Sequence, residues 1–292
     1  MPFKVAALLS FKEMRLDIEV VETHYWLPGL NPVEEVVKAV KDKVSDGDIV
    51  FISEKAISTA LGRLVDEKHV KPSRVARFFV KIWVRGLWVL FFSKICHLRR
   101  ETVEKLRKYP IELGARHKIV ALKFSGILAC LKHFSEGGID ASNLPYSYVA
   151  LPLNDPKIAE EICEKLGAKV IVAVVDGDST FKIGNAFFST RKSYVKGIQS
   201  FGGFLTYLIC RALRAEEYPT LVALAGGNVE LSWLMRLARK AVKEMRGSLG
   251  RTAWDVAEHF GVGLDQVTWK MLMSIKHKPI AIVKASSSSK KG

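Results

Sequence analysis

The succession of elements along the chain predicts an α+β fold. Apolar runs of strand length and stretches of helical periodicity are both present, and they do not alternate as a regular strand-helix-strand repeat. With 292 residues, 49% of them hydrophobic, the chain is long enough for a substantial core or two domains.

Taken in order, apolar runs predict strands at 3–9 and 48–52, with a helix between them at 33–43. The run Tyr148-Val149-Ala150-Leu151-Pro152-Leu153 predicts a strand at 149–153. Asn154-Asp155-Pro156 then supplies turn residues ahead of a helix at 157–166. The run from Lys169 to Val175 is nearly continuous in valine, isoleucine and alanine, and reads as a strand buried on both faces. A helix is expected at 200–215 and a strand at 220–225. Residues 232–278 read as mainly helical, followed by a short strand from 279 and a polar tail at 286–292, whose serines and lysines cannot build a core. No internal repeat is evident.

Two acidic loops stand out. Glu136-Gly137-Gly138-Ile139-Asp140-Ala141-Ser142-Asn143-Leu144 places two glycines, a carboxylate and two short polar side chains between buried elements. Glycines permit close ligand approach, and Asp140 offers the hard oxygen a divalent cation prefers, although Gly-Gly before Asp, Ser and Asn also suits an ordinary turn. The second, Asp176-Gly177-Asp178-Ser179-Thr180, follows the 169–175 strand. Its two carboxylates and hydroxyls suit magnesium and a phosphate oxygen, and equally a solvated hairpin turn. No Gly-x4-Gly-Lys-Ser/Thr pattern occurs, nor a Gly-x-Gly-x-x-Gly after a strand.

Cys96, Cys130, Cys163 and Cys210 lie more than thirty residues apart, so no zinc or redox motif is indicated. With no secretory signal evident, reduced thiols and a cytoplasmic location are expected. His133 is the histidine nearest the first loop, and a structural role is the expectation for it. The net charge of +15, from 45 basic and 30 acidic residues, favours anionic partners without choosing among nucleotide, nucleic acid and lipid.

Set side by side, these segments resemble the F420-0:γ-glutamyl ligases, which extend the deazaflavin coenzyme F420 with glutamate using GTP. Four segments in order carry the likeness over about residues 20–230: Leu27-Pro28-Gly29-Leu30; Asp46 to Ser58 with Gly62-Arg63; Gly138 to Asn143 with Leu151-Pro152-Leu153-Asn154-Asp155-Pro156; and Asp176. Gly226-Gly227-Asn228 resembles the family's late glycine-asparagine turn. The resemblance implies mixed, largely antiparallel sheets with packed helices and a subunit that forms a homodimer. It implies GTP as substrate, with Mg²⁺ or Mn²⁺ and a possible role for K⁺, and glutamate joined to the deazaflavin coenzyme or another anionic acceptor through an acyl phosphate. Nucleotide contacts would fall on Leu27, Pro28, Gly29, Leu30, Ser53, Glu54, Lys55, Arg63 and Asn143. Metal ligands would be Asp140, Asp176 and, within the same loop, Asp178; no catalytic residue is singled out. Lys55, Arg63 and the cluster Arg116-His117-Lys118 are the candidate phosphate-facing donors.

Three positions depart from the family pattern. Thr59 and Leu61 stand where it has lysine and glutamate, and Gly177 where it has threonine. Lys55 is the nearest replacement for the lysine. A divergent amide ligase acting elsewhere, or a nucleotide-binding paralogue, is therefore the alternative.

The likeness divides the chain into a core at 1–231, an aromatic and basic helical insertion at 71–118, a helical extension at 232–278, and a strand and tail at 279–292. The longest uncharged stretch of the insertion, Gly86 to Ser93, has eight residues, well short of the ~20 that span a bilayer. The insertion is expected to serve as a dimer or substrate-pocket helix, with a membrane-surface helix as the other reading. In the extension, the alanine, glycine and valine spacing of 252–275 matches a helix-turn-helix, which supplies a DNA-binding rival.

Overall fold

The computed structural model describes residues 17–134, 136–246 and 252–285. The strand expected at 3–9 and the tail at 286–292 lie outside the described residues. Nine strands are described: β1 (Ile18–Thr23), β2 (Ile49–Ser53), β3 (Leu64–Asp66), β4 (Tyr148–Ala150), β5 (Ile171–Ile183), β6 (Ala186–Ser189), β7 (Ile198–Ser200), β8 (Glu216–Ala225) and β9 (His277–Val283). One mixed sheet runs β1-β9-β2-β5-β6-β7, with β8 along the other edge of β5, while β3 and β4 pair separately. Most pairs are antiparallel; β2 with β5 and β6 with β7 are parallel. The chain is α+β.

The sheet is buried on both faces because its central strands are apolar without interruption over Ile49–Ile52, Ile171–Val175 and Pro279–Val283. Alternation sends Val50, Ile52, Val172, Val174, Ile280 and Ile282 to one side. Phe51, Ala173, Val175, Leu221, Ala281 and Val283 go to the other. The helices Pro32–Val40, Glu54–Ala60 and Ile158–Leu166 cover the first face. Asn31 starts the first of these by accepting the N–H groups of Val33 and Glu34, with proline at the opening position. The helix Leu231–Met245 covers the second face through Leu234, Met235, Leu237 and Ala238. Full burial of a leucine or methionine contributes about 1.5–3 kcal/mol, which is what clamps this helix to β8 and β9.

The start of the C-terminal strand is the first departure from expectation: read from 279, it begins at His277. Among the described residues of 232–278, helices lie at Leu231–Met245, Ala253–His259 and Trp269–Met273, and β9 then inserts between β1 and β2 and pairs antiparallel with both. Nothing local in the sequence announces this position. β5 is the second departure: it continues through Asp176 to Ile183 because β8 pairs with both of its halves. β4 stops at Ala150, since the Leu151 N–H turns to the Arg63 carbonyl and Pro152 has none to give. The helix expected from 200 begins only at Phe204, after β7 and a Gly202-Gly203 pair at φ +74 and +35.

The insertion is helical as expected. Helix Arg74–Phe79 continues as a π-helix, Val80–Phe92, whose wider turn buries Val80, Val84 and Trp88 against Phe181, Phe204 and Tyr207. Trp83 and Trp88 both donate their indole N–H to the Leu131 carbonyl, at 2.8 and 2.9 Å. Helices Arg100–Arg107 and Ile111–Ser125 follow. Among the described residues no helix is long and apolar enough to cross a membrane.

The helix-turn-helix spacing builds Ala253–His259 and a five-residue helix, Trp269–Met273. Leu272 is fully buried and the Trp269 ring lies 6.1 Å from that of Tyr25 and 5.7 Å from that of Tyr148. Asp255 pairs with Lys105 of the insertion at 2.7 Å. A short second helix packed in this way closes the subunit and presents little that could enter a groove.

Candidate functional site

The loop between the helix Ile127–Cys130 and β4 is held from behind by a guanidinium. Gly138 adopts φ +93, and a Cβ there would stand 2.4 Å from the Arg191 Cζ. Only glycine lets the loop lie on this side chain. Arg191, 5% exposed, donates to both carboxylate oxygens of Glu54, with Nη2 to Oε1 at 2.7 Å. Its Nη1 also donates to Asp176 Oδ2 at 2.5 Å. Glu54 further accepts the Leu153 N–H at 2.7 Å. The cluster ties the start of the helix Glu54–Ala60, the loop before the helix Ile158–Leu166, β5 and the segment after β6 to one point.

Asp176 and Asp178 sit in a bulge rather than in a loop after a strand. The register of β5 against β8 shifts between Asp176 and Ser179, which leaves Gly177 and Asp178 as the extra residues. Bulges redirect side chains at functional sites. Here Asp176 meets Arg191 and takes the Gly177 N–H on its other oxygen at 2.7 Å. Asp178, 4% exposed, accepts the Gly138 N–H at 2.9 Å and lies 3.9 Å from the Lys132 ammonium.

Asp140 is fixed through its backbone by a bridge to Ala150. One carboxylate oxygen accepts both the N–H and the hydroxyl of Ser142, each at 2.7 Å. The other meets the Lys55 ammonium at 2.9 Å, and Lys55 also donates to the Ser142 hydroxyl at 2.6 Å. Burial opposes charge on Asp140, but Lys55 and Ser142 outweigh it and hold the carboxyl below its ordinary range. Asn143, at φ +54, gives its carbonyl to the Tyr25 hydroxyl at 2.5 Å, while its buried side-chain oxygen has no partner. Burial, and then Asp140, push the Tyr25 hydroxyl well up, so it stays a donor.

Ser53, Lys55, Asp140, Asn143, Asp176 and Asp178 line one cavity of about 990 Å³. The 71–118 segment adds Tyr109, Leu113 and His117 to its wall, and the C-terminal segment adds Trp254, Lys276 and His277. Other expected contacts lie elsewhere. Glu54 is committed to Arg191. Leu27, Pro28, Gly29 and Leu30 are not on the cavity wall, and the Gly29 N–H docks on the Ala60 carbonyl at 2.8 Å. Arg63 donates to the Pro152 carbonyl at 2.8 Å and faces a second cavity of about 630 Å³. Gly226, at φ +92, is required by the Val170 carbonyl, which a Cβ would approach to 2.0 Å; it follows Ala225, which pairs with Val172 near the start of β5, away from the bulge at Asp176.

Of the expected donors at 116–118, His117 and Lys118 belong to a buried charge cluster. His117 bridges Glu67 at 2.7 Å and Glu136 at 3.1 Å. Lys118 donates to Glu136 at 2.7 Å and to the carbonyls of Cys130 and Lys132. Burial disfavours the imidazolium, yet the two carboxylates outweigh it and raise His117 to about 10. His133 is its opposite: burial, with Lys132 next, lowers it to about 3, and the neutral ring stacks 4.3 Å from Trp88. The structural role expected for His133 matches this packing. Arg191, Lys132 and Glu136 carried no functional expectation. The signal for Arg191 was a basic pair, Arg191-Lys192, directly after an apolar run, with its partners far away in the chain.

A divalent cation needs several oxygen donors converging on one point. Among the described residues no group of three or more His, Cys, Asp or Glu is so arranged. Asp140, Asp176 and Asp178 instead face Lys55, Arg191 and Lys132. In this arrangement the residues do not fit a preformed divalent-cation site.

An uncharacterised protein of Methanocaldococcus jannaschii is 30% identical over 287 residues, covering 90% of this chain and 94% of that protein. The family model for F420-0:gamma-glutamyl ligase matches residues 21–204, which contain β2, the Asp140 loop and the β5 bulge. The chain belongs to the F420-0:γ-glutamyl ligase family.

Proposed function

We propose that the protein is a ligase that uses GTP to join L-glutamate in γ-linkage to coenzyme F420-0. The observation that carries this reading is convergence: Ser53 and Lys55, Asp140 and Asn143, and Asp176 and Asp178 come from three separate family segments and line one cavity. Its volume, about 990 Å³, is at the upper end of ligand pockets and matches a nucleotide with part of a large acceptor. The lysines and arginines of the wall suit anionic ligands.

In the proposed reaction a carboxylate oxygen of the acceptor attacks the γ-phosphorus of GTP, forming an acyl phosphate and releasing GDP. The glutamate amine then attacks the acyl carbon, phosphate leaves with the bonding pair, and the amine loses a proton. Little covalent help is needed, so positioning and positive charge at the transferring phosphoryl group carry the catalysis. Lys55 is the cation placed for that role, and Asp140 and Ser142 hold it. Asn143, with its unpaired buried oxygen, supplies a hydrogen-bond acceptor to the ligand. A homodimer and a cytoplasmic location accompany this reading.

A ligase acting on a different anionic acceptor is the second reading, favoured by the departures at Thr59, Leu61 and Gly177. The test is purified protein with GTP, L-glutamate and F420-0, with and without Mn²⁺. Glutamate-dependent GDP release and a product heavier by one glutamyl residue are expected, and Asp140→Asn should abolish both while the fold persists. Release with other acceptors but not with F420-0 would select the second reading. No glutamate-dependent release with any carboxylate acceptor would sink the ligase reading.

A further inference from the structure

We propose that Lys55 supplies, as a fixed ammonium at Asp140, the positive charge that a bound divalent cation would bring, so that this corner of the cavity takes phosphate without a metal. The inference rests on the reading of the cavity as a phosphate-ester site. It is carried by the way Asp140, Asp176 and Asp178 are each already engaged.

Lys55 is the second residue of the helix Glu54–Ala60, and its side chain reaches Asp140 Oδ2 at 2.9 Å and the Ser142 hydroxyl at 2.6 Å. An ammonium has three N–H donors. Two are used by those contacts, and Lys55 is on the cavity wall, so the third serves a ligand there. The second oxygen of Asp140 holds the Ser142 N–H and hydroxyl. A cation bound to Asp140 would need to displace Lys55 or accept a like charge beside it. Asp176 and Asp178 offer no relief. The first has the Arg191 guanidinium on one oxygen and the Gly177 N–H on the other. The second has the Gly138 N–H on one oxygen and Lys132 near the other. Arg191 cannot move aside, because both oxygens of the buried Glu54 hold it and Gly138 lies against it.

The influence of Lys55 extends further into the cavity. His277, on the same wall, is lowered to about 4, first by burial and then by the Lys55 charge, and so remains neutral beside it. Thr59, one turn along the helix, directs its hydroxyl back to the Lys55 carbonyl at 2.8 Å. Among these groups Lys55 is the cation that Asp140 positions directly.

Two probes test the proposal on the full chain. Mn²⁺ binding, read from loss of the free-ion electron paramagnetic resonance signal, should be weak in the wild type and about tenfold or more tighter in Lys55→Met, where the like charge is gone. Adding Asp140→Asn to Lys55→Met should reverse that gain, and Lys55→Arg, which keeps the charge, should behave as the wild type. Inorganic tripolyphosphate, titrated calorimetrically in the presence of EDTA, should bind the wild type and Lys55→Arg but not Lys55→Met. Stoichiometric Mn²⁺ binding by the wild type that Asp140→Asn removes would overturn the proposal, as would tripolyphosphate binding only when Mn²⁺ is present. Failure of the ligase reading is distinguishable: GTP would then give no glutamate-dependent release, while the Mn²⁺ and tripolyphosphate results still decide the role of Lys55.

Discussion

Replacing Gly138 by alanine tests the central arrangement of the site. Two costs combine. The first is backbone strain: at φ +93 a side chain costs about 1–2 kcal/mol. The second is steric, because the new Cβ would stand 2.4 Å from Arg191 Cζ, 2.5 Å from Nη1 and 2.7 Å from Nη2. Arg191 must give way, and breaking a buried ion pair costs about 3–5 kcal/mol. The expected loss is therefore about 4–7 kcal/mol. Gly167, the last-turn glycine of the helix Ile158–Leu166, is the control: it has φ +67 and nothing within 4 Å of its would-be Cβ, so Gly167→Ala should cost only about 1–2 kcal/mol. Urea unfolding at constant m-value measures both. In an Arg191→Ala background the cost of Gly138→Ala should fall to that of the control, since the clashing atoms are gone. A Gly138→Ala loss within 1 kcal/mol of the Gly167→Ala loss would refute the steric argument.

Three further outcomes follow from the buried charges and the aromatic insertion. His117 is raised from 6.5 to about 10, so its contribution to stability is complete below pH 6.5 and is lost as the pH rises through 10. Stability of the wild type should thus fall across that window by up to about 1.4 kcal/mol per pH unit more than that of His117→Gln, and equal slopes would exclude a charged His117. Glu136→Ala leaves the buried Lys118 without a carboxylate partner and His117 with Glu67 alone, and should cost about 3–5 kcal/mol in chemical denaturation. Glu104→Ala, which removes an exposed pair with Arg100, should cost no more than about 0.5 kcal/mol. Trp88→Ala empties the centre of the insertion cluster and should lower stability by about 3–5 kcal/mol, seen as a lower thermal midpoint.

Local chemistry made part of this legible in the sequence. The 136–144 loop joins two apolar runs, and its glycines and Asp140 drew attention to a segment that lines the cavity because a turn, a close approach and a polar side chain are all encoded within a few residues. The core strands were equally clear, since Ile49 to Ile52 and Ile171 to Val175 are apolar on both faces. Partnerships across the chain were not. Glu54 and Arg191 are separated by 137 residues, and neither shows in isolation that it will hold the other. Gly138 looked like turn punctuation, whereas its role is to let a guanidinium pass. The 176–180 segment has the composition of a turn, and only pairing with β8 keeps it in a strand. Arg63 and Leu27 to Leu30 matched a motif in order, but their positions depend on how helices and the second cavity are placed, which no motif encodes.

The place of β9 has a consequence for biosynthesis. β1 and β2 are made within the first few dozen residues, yet the strand that joins them is the last described element. Until β9 has been made, β1 and β2 each present an unpaired backbone edge, a state that invites pairing with other chains. Completion of the sheet therefore waits on pairings between strands far apart in sequence and is slow on that account. A nascent or C-terminally clipped chain would lack the central tie of its sheet even though nearly all of the cavity residues had already been made.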